Sequence, residues 1–74
     1  MRYYKNGNLT KADRDEYYRV YDDGTYEWFN TGTGEFTGRW FNVTHEKFDD
    51  IKRTFKVSEI TETELNKALF IKLL

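Results

Sequence analysis

Nine of the chain's fourteen aromatic side chains fall in residues 17–41, one third of its length. The stretch has the composition of strands, and successive side chains of a strand point to opposite sides, so its rings are shared between both faces of whatever sheet it forms. No other feature constrains the fold as much. A chain of 74 residues buries only about 60% of the surface that its unfolded form exposes. With no cysteine there is no disulfide to compensate, and large rings are the remaining source of buried area. Part of the aromatic set is therefore structural, and the functional question is what the rest is for.

Residues 17–21, 25–30 and 35–43 are rich in aromatic and β-branched side chains and are separated by Asp23-Gly24 and by a loop at 31–34, which predicts a three-stranded meander. Asn6-Gly7 and Asp23-Gly24 tolerate the positive φ angles of a two-residue hairpin turn, and both sit in the pattern Tyr-x-Asn/Asp-Gly-x-apolar. The first copy adds one or two strands around Tyr3-Tyr4. From Thr44 the period changes: Thr44 caps a helix, His45 and Glu46 open its first turn, and Phe48, Ile51 and Phe55 form its apolar stripe. A second helix starts with the capping box Thr61-Glu62-Thr63-Glu64 and continues through Leu65, Leu69 and Leu73. The predicted fold is α+β, an antiparallel meander of three to five strands packed on one or two C-terminal helices. It forms a single domain, with the sheet in residues 1–43 and the helical part in residues 44–74.

A two-residue turn at Asp23-Gly24 and a four-residue loop at 31–34 pair Tyr21 with Tyr26, Arg19 with Trp28, Tyr18 with Phe29, and Phe29 with Phe36. One face then carries Tyr18, Val20, Phe29, Phe36 and Trp40, and the first helix covers it. The opposite face carries Tyr17, Arg19, Tyr21, Tyr26, Trp28, Arg39 and Phe41. Rings with polar tips interleaved with arginines are enriched at protein interfaces and also suit stacking on nucleic-acid bases. Two arrangements are open. Either the N-terminal hairpin or the second helix folds over this face and makes it a second core layer, or the face stays open as an interaction surface. In the open arrangement Tyr17, Arg19, Tyr21, Tyr26, Trp28 and Arg39 are the partner-binding residues. A bulge at Gly38 would move part of the third strand to the other side.

Enzyme chemistry has few carriers here. His45 is the only histidine and Ser58 the only serine, so a nucleophile and its base cannot be assembled without His45. The pairs Asp22-Asp23 and Asp49-Asp50 lack the spacing of a metal loop, and Gly32-x-Gly34 opens a strand where a phosphate loop opens a helix. No catalytic residue, metal or cofactor is expected. Twelve basic residues against thirteen acidic ones, spread along the chain, give no concentrated basic footprint, which disfavours nucleic acid as a partner. No stretch approaches the roughly 20 apolar residues of a membrane span, and the N-terminus has no apolar leader, so a cytoplasmic protein is expected.

The order of elements in residues 17–55 resembles the N-terminal arm-binding domains of tyrosine recombinases, three-stranded sheets backed by a helix. The matching segments are Tyr18-Arg19-Val20-Tyr21, Thr33-Gly34-Glu35 and Phe41-Asn42-Val43-Thr44-His45-Glu46. That resemblance implies a DNA-binding accessory domain. Ile51, Phe55, Val57, Ser58 and Thr61 are also similar in spacing to a helix-turn-helix core. The expectation preferred here is a small non-enzymatic protein that binds a protein partner as an inhibitor or regulator, like phage-encoded anti-defence proteins such as anti-CRISPRs. Self-association through Leu65, Leu69 and Leu73 is a further possibility.

Overall fold

The computed structural model describes residues 1–6, 16–31 and 38–73. Within them the chain runs β1 (Arg2–Asn6), β2 (Glu16–Val20), β3 (Tyr26–Asn30), β4 (Trp40–Val43), α1 (Phe48–Thr54), β5 (Val57–Ile60) and α2 (Glu62–Leu73). The strands make one five-stranded sheet in the order β4-β3-β2-β1-β5, antiparallel at each pairing. The α+β class and the strand at Tyr3-Tyr4 are as expected. Both sides of β1 are taken, by β2 and by β5. Gly7 of the expected Asn6-Gly7 turn, Phe36, and the loop beyond Thr31 lie outside the described residues.

The turn between β2 and β3 sets which ring goes where. The Gly24 N–H donates to the Tyr21 carbonyl at 2.9 Å and the Tyr21 N–H donates to the Thr25 carbonyl at 2.9 Å. Gly24 adopts a φ of 89°, and the loop therefore holds three residues, Asp22 to Gly24, ending in a left-handed glycine. Asp23 fixes it by accepting hydrogen bonds from the Thr25 backbone N–H at 2.9 Å and the Thr25 hydroxyl at 2.6 Å. The sequence reading allowed this loop only two residues. The added residue slips the register by one, so that Val20 opposes Tyr26, Tyr18 opposes Trp28 and Tyr17 opposes Phe29. A slip of one transfers every side chain of a strand to the other face. Between β3 and β4, Phe29 opposes Trp40 and Trp28 opposes Phe41. Phe29 thus pairs an even number of residues away from the expected Phe36, so the facing of β4 relative to β3 is preserved.

Two cores result. On one face Tyr4, Tyr18, Tyr26 and Val43 are buried with Phe48, while Val20, Trp28, Ile51 and Val57 pack around them. On the other, Tyr17 and Phe29 are buried with Leu65, flanked by Tyr3, Trp40, Ile60, Ala68 and Leu69. Helix α1 covers the first face and α2 the second. Of the two arrangements open to the sequence, the one with a helix over each face is the one formed.

The first helix departs from expectation at both ends. It starts at Phe48 with Lys47 as N-cap and no side-chain cap, so Thr44 does not cap it and His45 and Glu46 precede it. The turn takes over that role: the Phe48 N–H donates to the Gly24 carbonyl at 2.8 Å, and Lys47 Nζ donates to the Asp23 carbonyl at 3.0 Å. Phe55 is the extended C-cap and not the third member of a helical stripe, and it is 40% exposed. Val57–Ile60 is a strand, which replaces both the expected all-helical C-terminal part and the helix-turn-helix spacing. The capping box of α2 is present as expected. Thr61 Oγ1 accepts from the Glu64 N–H at 3.0 Å, and Glu64 Oε1 accepts from the Thr61 N–H at 3.2 Å.

Phe48 is the centre of the first core, with its ring centroid 4.6 Å from that of Tyr4, 5.3 Å from Tyr18 and 5.5 Å from Tyr26. Truncating such a ring costs about 3–5 kcal/mol, against a total of about 4–11 kcal/mol for a domain of this size. Phe48→Ala is therefore expected to lower the urea midpoint by roughly half or more, read by circular dichroism, whereas Phe70→Ala, at a residue 66% exposed, shifts it little. Gly24→Ala places a Cβ at positive φ, 3.3 Å from Lys47 Cδ. It should cost about 1–2 kcal/mol in the same measurement, and a variant as stable as the parent would contradict the assigned turn.

Candidate functional site

The register divides the six residues expected to form one surface. Tyr17 lies beneath α2 and Tyr26 beneath α1, each 2% exposed, so neither presents its ring to a partner. Arg19 is on the α2 face, Tyr21 is at the start of the β2–β3 turn, Trp28 is on the α1 face and Arg39 precedes β4. The single expected face does not exist. Two groups on opposite sides of the sheet replace it.

The first group is a charged network. Arg19 Nε donates to Glu27 Oε1 at 2.8 Å across the β2–β3 pair, and the Tyr21 hydroxyl donates to the same oxygen. The Arg19 guanidinium also lies over the Trp40 ring, 4.1 Å from its centroid. Glu27 is held below the usual carboxylate range chiefly by the Arg19 hydrogen bond, with the Tyr21 hydroxyl adding to it against the cost of burial. The hydrogen bond to Glu27 in turn raises the Tyr21 hydroxyl. Arginine, carboxylate and hydroxyl satisfy one another, which makes this group a clasp holding the turn to the sheet.

The second group is at the margin of α1. Helix α1 starts at the β2–β3 turn, where the Phe48 N–H bonds to Gly24, and ends beside Glu16 and Trp28, and the Trp28–Phe41 pair stands on the β3–β4 side of this face. There Trp28 and Phe41, both half-buried, stack with centroids 5.0 Å apart and planes 26° apart. The exposed Arg39 holds its guanidinium 5.3 Å from the Phe41 centroid. Between this stack and the helix is a pocket of about 150 Å³ lined by Glu16, Tyr18, Tyr26, Trp28, Ile51 and Phe55. Its two tyrosine hydroxyls both donate to carboxylates, Tyr18 to Glu16 at 2.9 Å and Tyr26 to Glu46. Burial is the main cause of the raised pKa of each, and the neighbouring glutamates add to it.

A larger cleft of about 460 Å³ lies at the other end of α1, beside the β2–β3 turn. Arg2 and Lys52 line it together with Asp22, Asp23 and Asp49, so its charges are mixed. Among the described residues no group of three histidine, cysteine, aspartate or glutamate side chains could hold a metal ion. No helix is long and apolar enough to cross a membrane among the described residues. Leu65 is buried and Leu69 half-buried against the chain's own sheet, so Leu65 is taken up by the chain's own core. The Leu73 side chain lies outside the described residues.

Sequence reasoning had Trp28 and Arg39 in the candidate surface and grouped Phe41 with them. It assigned Phe55 to the core and Glu16 to nothing. The signal for Phe55 was present in part, because the β-branched Val57 follows two residues later and opens the strand before which the helix ends. Comparison with known proteins finds no matching protein family, no matching curated protein and no matching solved structure. The likeness to recombinase arm-binding domains thus rests on the element order and the segments named above, and here β1, β5 and α2 extend that order.

Because its folded pKa is depressed, Glu27 contributes stability that is present above the unfolded-state value of about 4.3 and is lost as pH falls through the folded value. Glu27→Gln should be less stable than the parent at neutral pH, and the gap in urea midpoint should close on acidification toward pH 3. A gap independent of pH would show that the Arg19–Glu27 pair contributes nothing.

Proposed function

We propose that this chain is a small binding protein without catalytic activity, and that it engages a protein partner through the Trp28–Phe41 surface beside α1. One observation carries the reading: a stacked Trp–Phe pair with an arginine over it and a 40% exposed phenylalanine, Phe55, lining the adjoining pocket. Tryptophan and arginine are the residue types that dominate binding energy at protein interfaces. The Trp28 and Phe41 rings are held here by strand pairing and stacking, so little side-chain entropy is lost on association. The two expected residues that serve this surface are Trp28 and Arg39. Tyr17 and Tyr26 support it from the cores, and Arg19 and Tyr21 hold the turn. Action as an inhibitor or regulator, in the manner of phage anti-defence proteins, is an analogy from size and surface and supplies no residue.

Partner capture from the native host, followed by affinity measurement on the purified partner, tests this surface. Trp28→Ala and Phe55→Ala should each weaken the complex by more than about 1 kcal/mol, roughly five-fold, with the circular dichroism spectrum retained. Tyr21→Ala should leave affinity unchanged. Full affinity in both of the first two variants would remove the proposal. Binding to duplex DNA that weakens steeply with salt would favour the accessory-domain alternative instead.

A further inference from the structure

We propose that β4 is the contact between two copies of this chain, joined edge to edge by antiparallel strand pairing across a two-fold axis at Phe41. This goes beyond the partner-binding reading, because it concerns the rim of the sheet and needs no other protein. In the order β4-β3-β2-β1-β5, each outer strand has one neighbour among the described residues. Alternate residues of an antiparallel strand bond to opposite neighbours, so parity decides which backbone groups an outer strand turns outward. The Asn30 carbonyl accepts from the Gly38 N–H at 3.1 Å, which turns the backbone of Asn30, Trp28 and Tyr26 toward β4. The Tyr21 N–H donates to the Thr25 carbonyl at 2.9 Å, which turns that of Glu27 and Phe29 toward β2. The two bonds agree. Trp28 with Phe41 and Tyr26 with Val43 are then the hydrogen-bonded pairs, and the N–H and carbonyl of Trp40 and Asn42 point away from the sheet. Asn42 is exposed and Trp40 half-buried.

The same parity, carried across β2 and β1, turns Val57 and Glu59 of β5 outward. The two rims differ in protection, since charged side chains, proline and bulges keep an edge strand from pairing. Strand β5 has Glu59 at its rim and Lys56 before it, whereas β4, Trp40-Phe41-Asn42-Val43, holds no charge, proline or glycine. Strand β4 is also self-complementary. With Phe41 opposite Phe41 of the second copy, Trp40 lies opposite Asn42 on either side of the axis, and the outward groups of both copies make four hydrogen bonds. In that register Arg39, the nearest charge, meets Val43, and no like charges are opposed. Phe41 takes the non-hydrogen-bonded position at the axis, where facing Cα atoms come within about 4.5 Å. The Trp28 ring stacks on Phe41 at 5.0 Å, so Trp28 and Phe41 of each copy form one row of four rings across four strands on the α1 side. A foreign strand could bond to the same rim, but a second copy also supplies the facing ring and joins two candidate surfaces into one.

A pairing of four residues makes a small interface, so the dimer is weak and concentration-dependent. The test is sedimentation equilibrium of the full chain from about 10 µM to about 1 mM, together with amide hydrogen exchange followed by NMR at both ends of that range. Dimer is expected within the range, with exchange slowed by concentration at the Trp40 and Asn42 N–H groups and unchanged at those of Phe41 and Val43, which already bond to β3. Asn42→Pro deletes an outward N–H and spares the bonds to β3, so it should weaken association at least about ten-fold with the circular dichroism spectrum retained. Glu59→Pro, the equivalent change at the other rim, should leave association as it is. A monomer at every concentration overturns the proposal. So does a dimer whose newly protected amides lie outside β4, or one that Asn42→Pro leaves intact. The exchange measurement needs no variant, so it decides the matter even where proline disturbs the fold. No partner is present in either measurement: a strict monomer leaves the partner-binding reading standing, and a β4 dimer that captures no partner leaves this inference standing.

Discussion

The left-handed backbone at Gly24 is the constraint on which the rest of the structure depends. It lets the β2–β3 loop hold three residues, and that number decides the parity of β3 against β2. Parity then decides which rings share a face, and so which helix each ring meets. Tyr26 joins Tyr4 and Tyr18 under Phe48, while Phe29 joins Tyr17 under Leu65. The same glycine offers its carbonyl to the Phe48 N–H, so the turn that sets the register also anchors the helix that seals one face. Register and helix docking are coupled through one residue.

Filling two cores with tyrosine imposes a second requirement, because a buried hydroxyl without a partner is costly. In the α1-side core the chain meets it for Tyr18 and Tyr26 with carboxylates. Tyr18 donates to Glu16, Tyr26 to Glu46, and the more exposed Tyr21 to Glu27. Glutamates that read in the sequence as ordinary surface charge are in three cases the acceptors that allow a tyrosine-rich interior or clasp its turn. The near balance of charge in the chain is thus partly a structural property of its core, and counting charges along the sequence does not separate that share from the surface share.

What was legible in the sequence was local chemistry. The capping box at Thr61 and Glu64 formed as written, because both hydrogen bonds lie within one turn. The ring-rich strands, the α+β class and the two-faced distribution of rings were also readable. The failures have one common origin: each was settled by a contact distant in sequence. Asp23-Gly24 satisfies both a two-residue and a three-residue hairpin loop, and the choice here goes with Phe48 and Lys47 docking on the longer one. The start of α1 was misplaced for the same reason, since its cap is a carbonyl more than twenty residues upstream. Strand β5 escaped because Val57 and Ile60, three apart, fit a helical stripe as well as a strand that buries one residue on each face. Here Val57 packs with the α1-side core and Ile60 with the α2-side core.

The shortness of α1 connects the fold to its surface. The chain must cross from β4 at one edge of the sheet to β5 at the other, through residues 44–47, helix α1 and residues 55–56. One further turn of helix would carry Phe55 within the helix and add cover beside Trp28. The chain instead ends the helix at Thr54 and extends through Phe55 into β5, whose pairing with β1 completes the sheet. Completing the sheet and covering the face thus compete for the same few residues. Sheet pairing wins, and Trp28 stacked on Phe41 is left half-buried on this face. Rings fixed by strand geometry lose little freedom when they bind, whereas the same area presented on a loop would first have to be ordered. A small domain with little stability to spare can therefore offer this surface without giving up either of its cores.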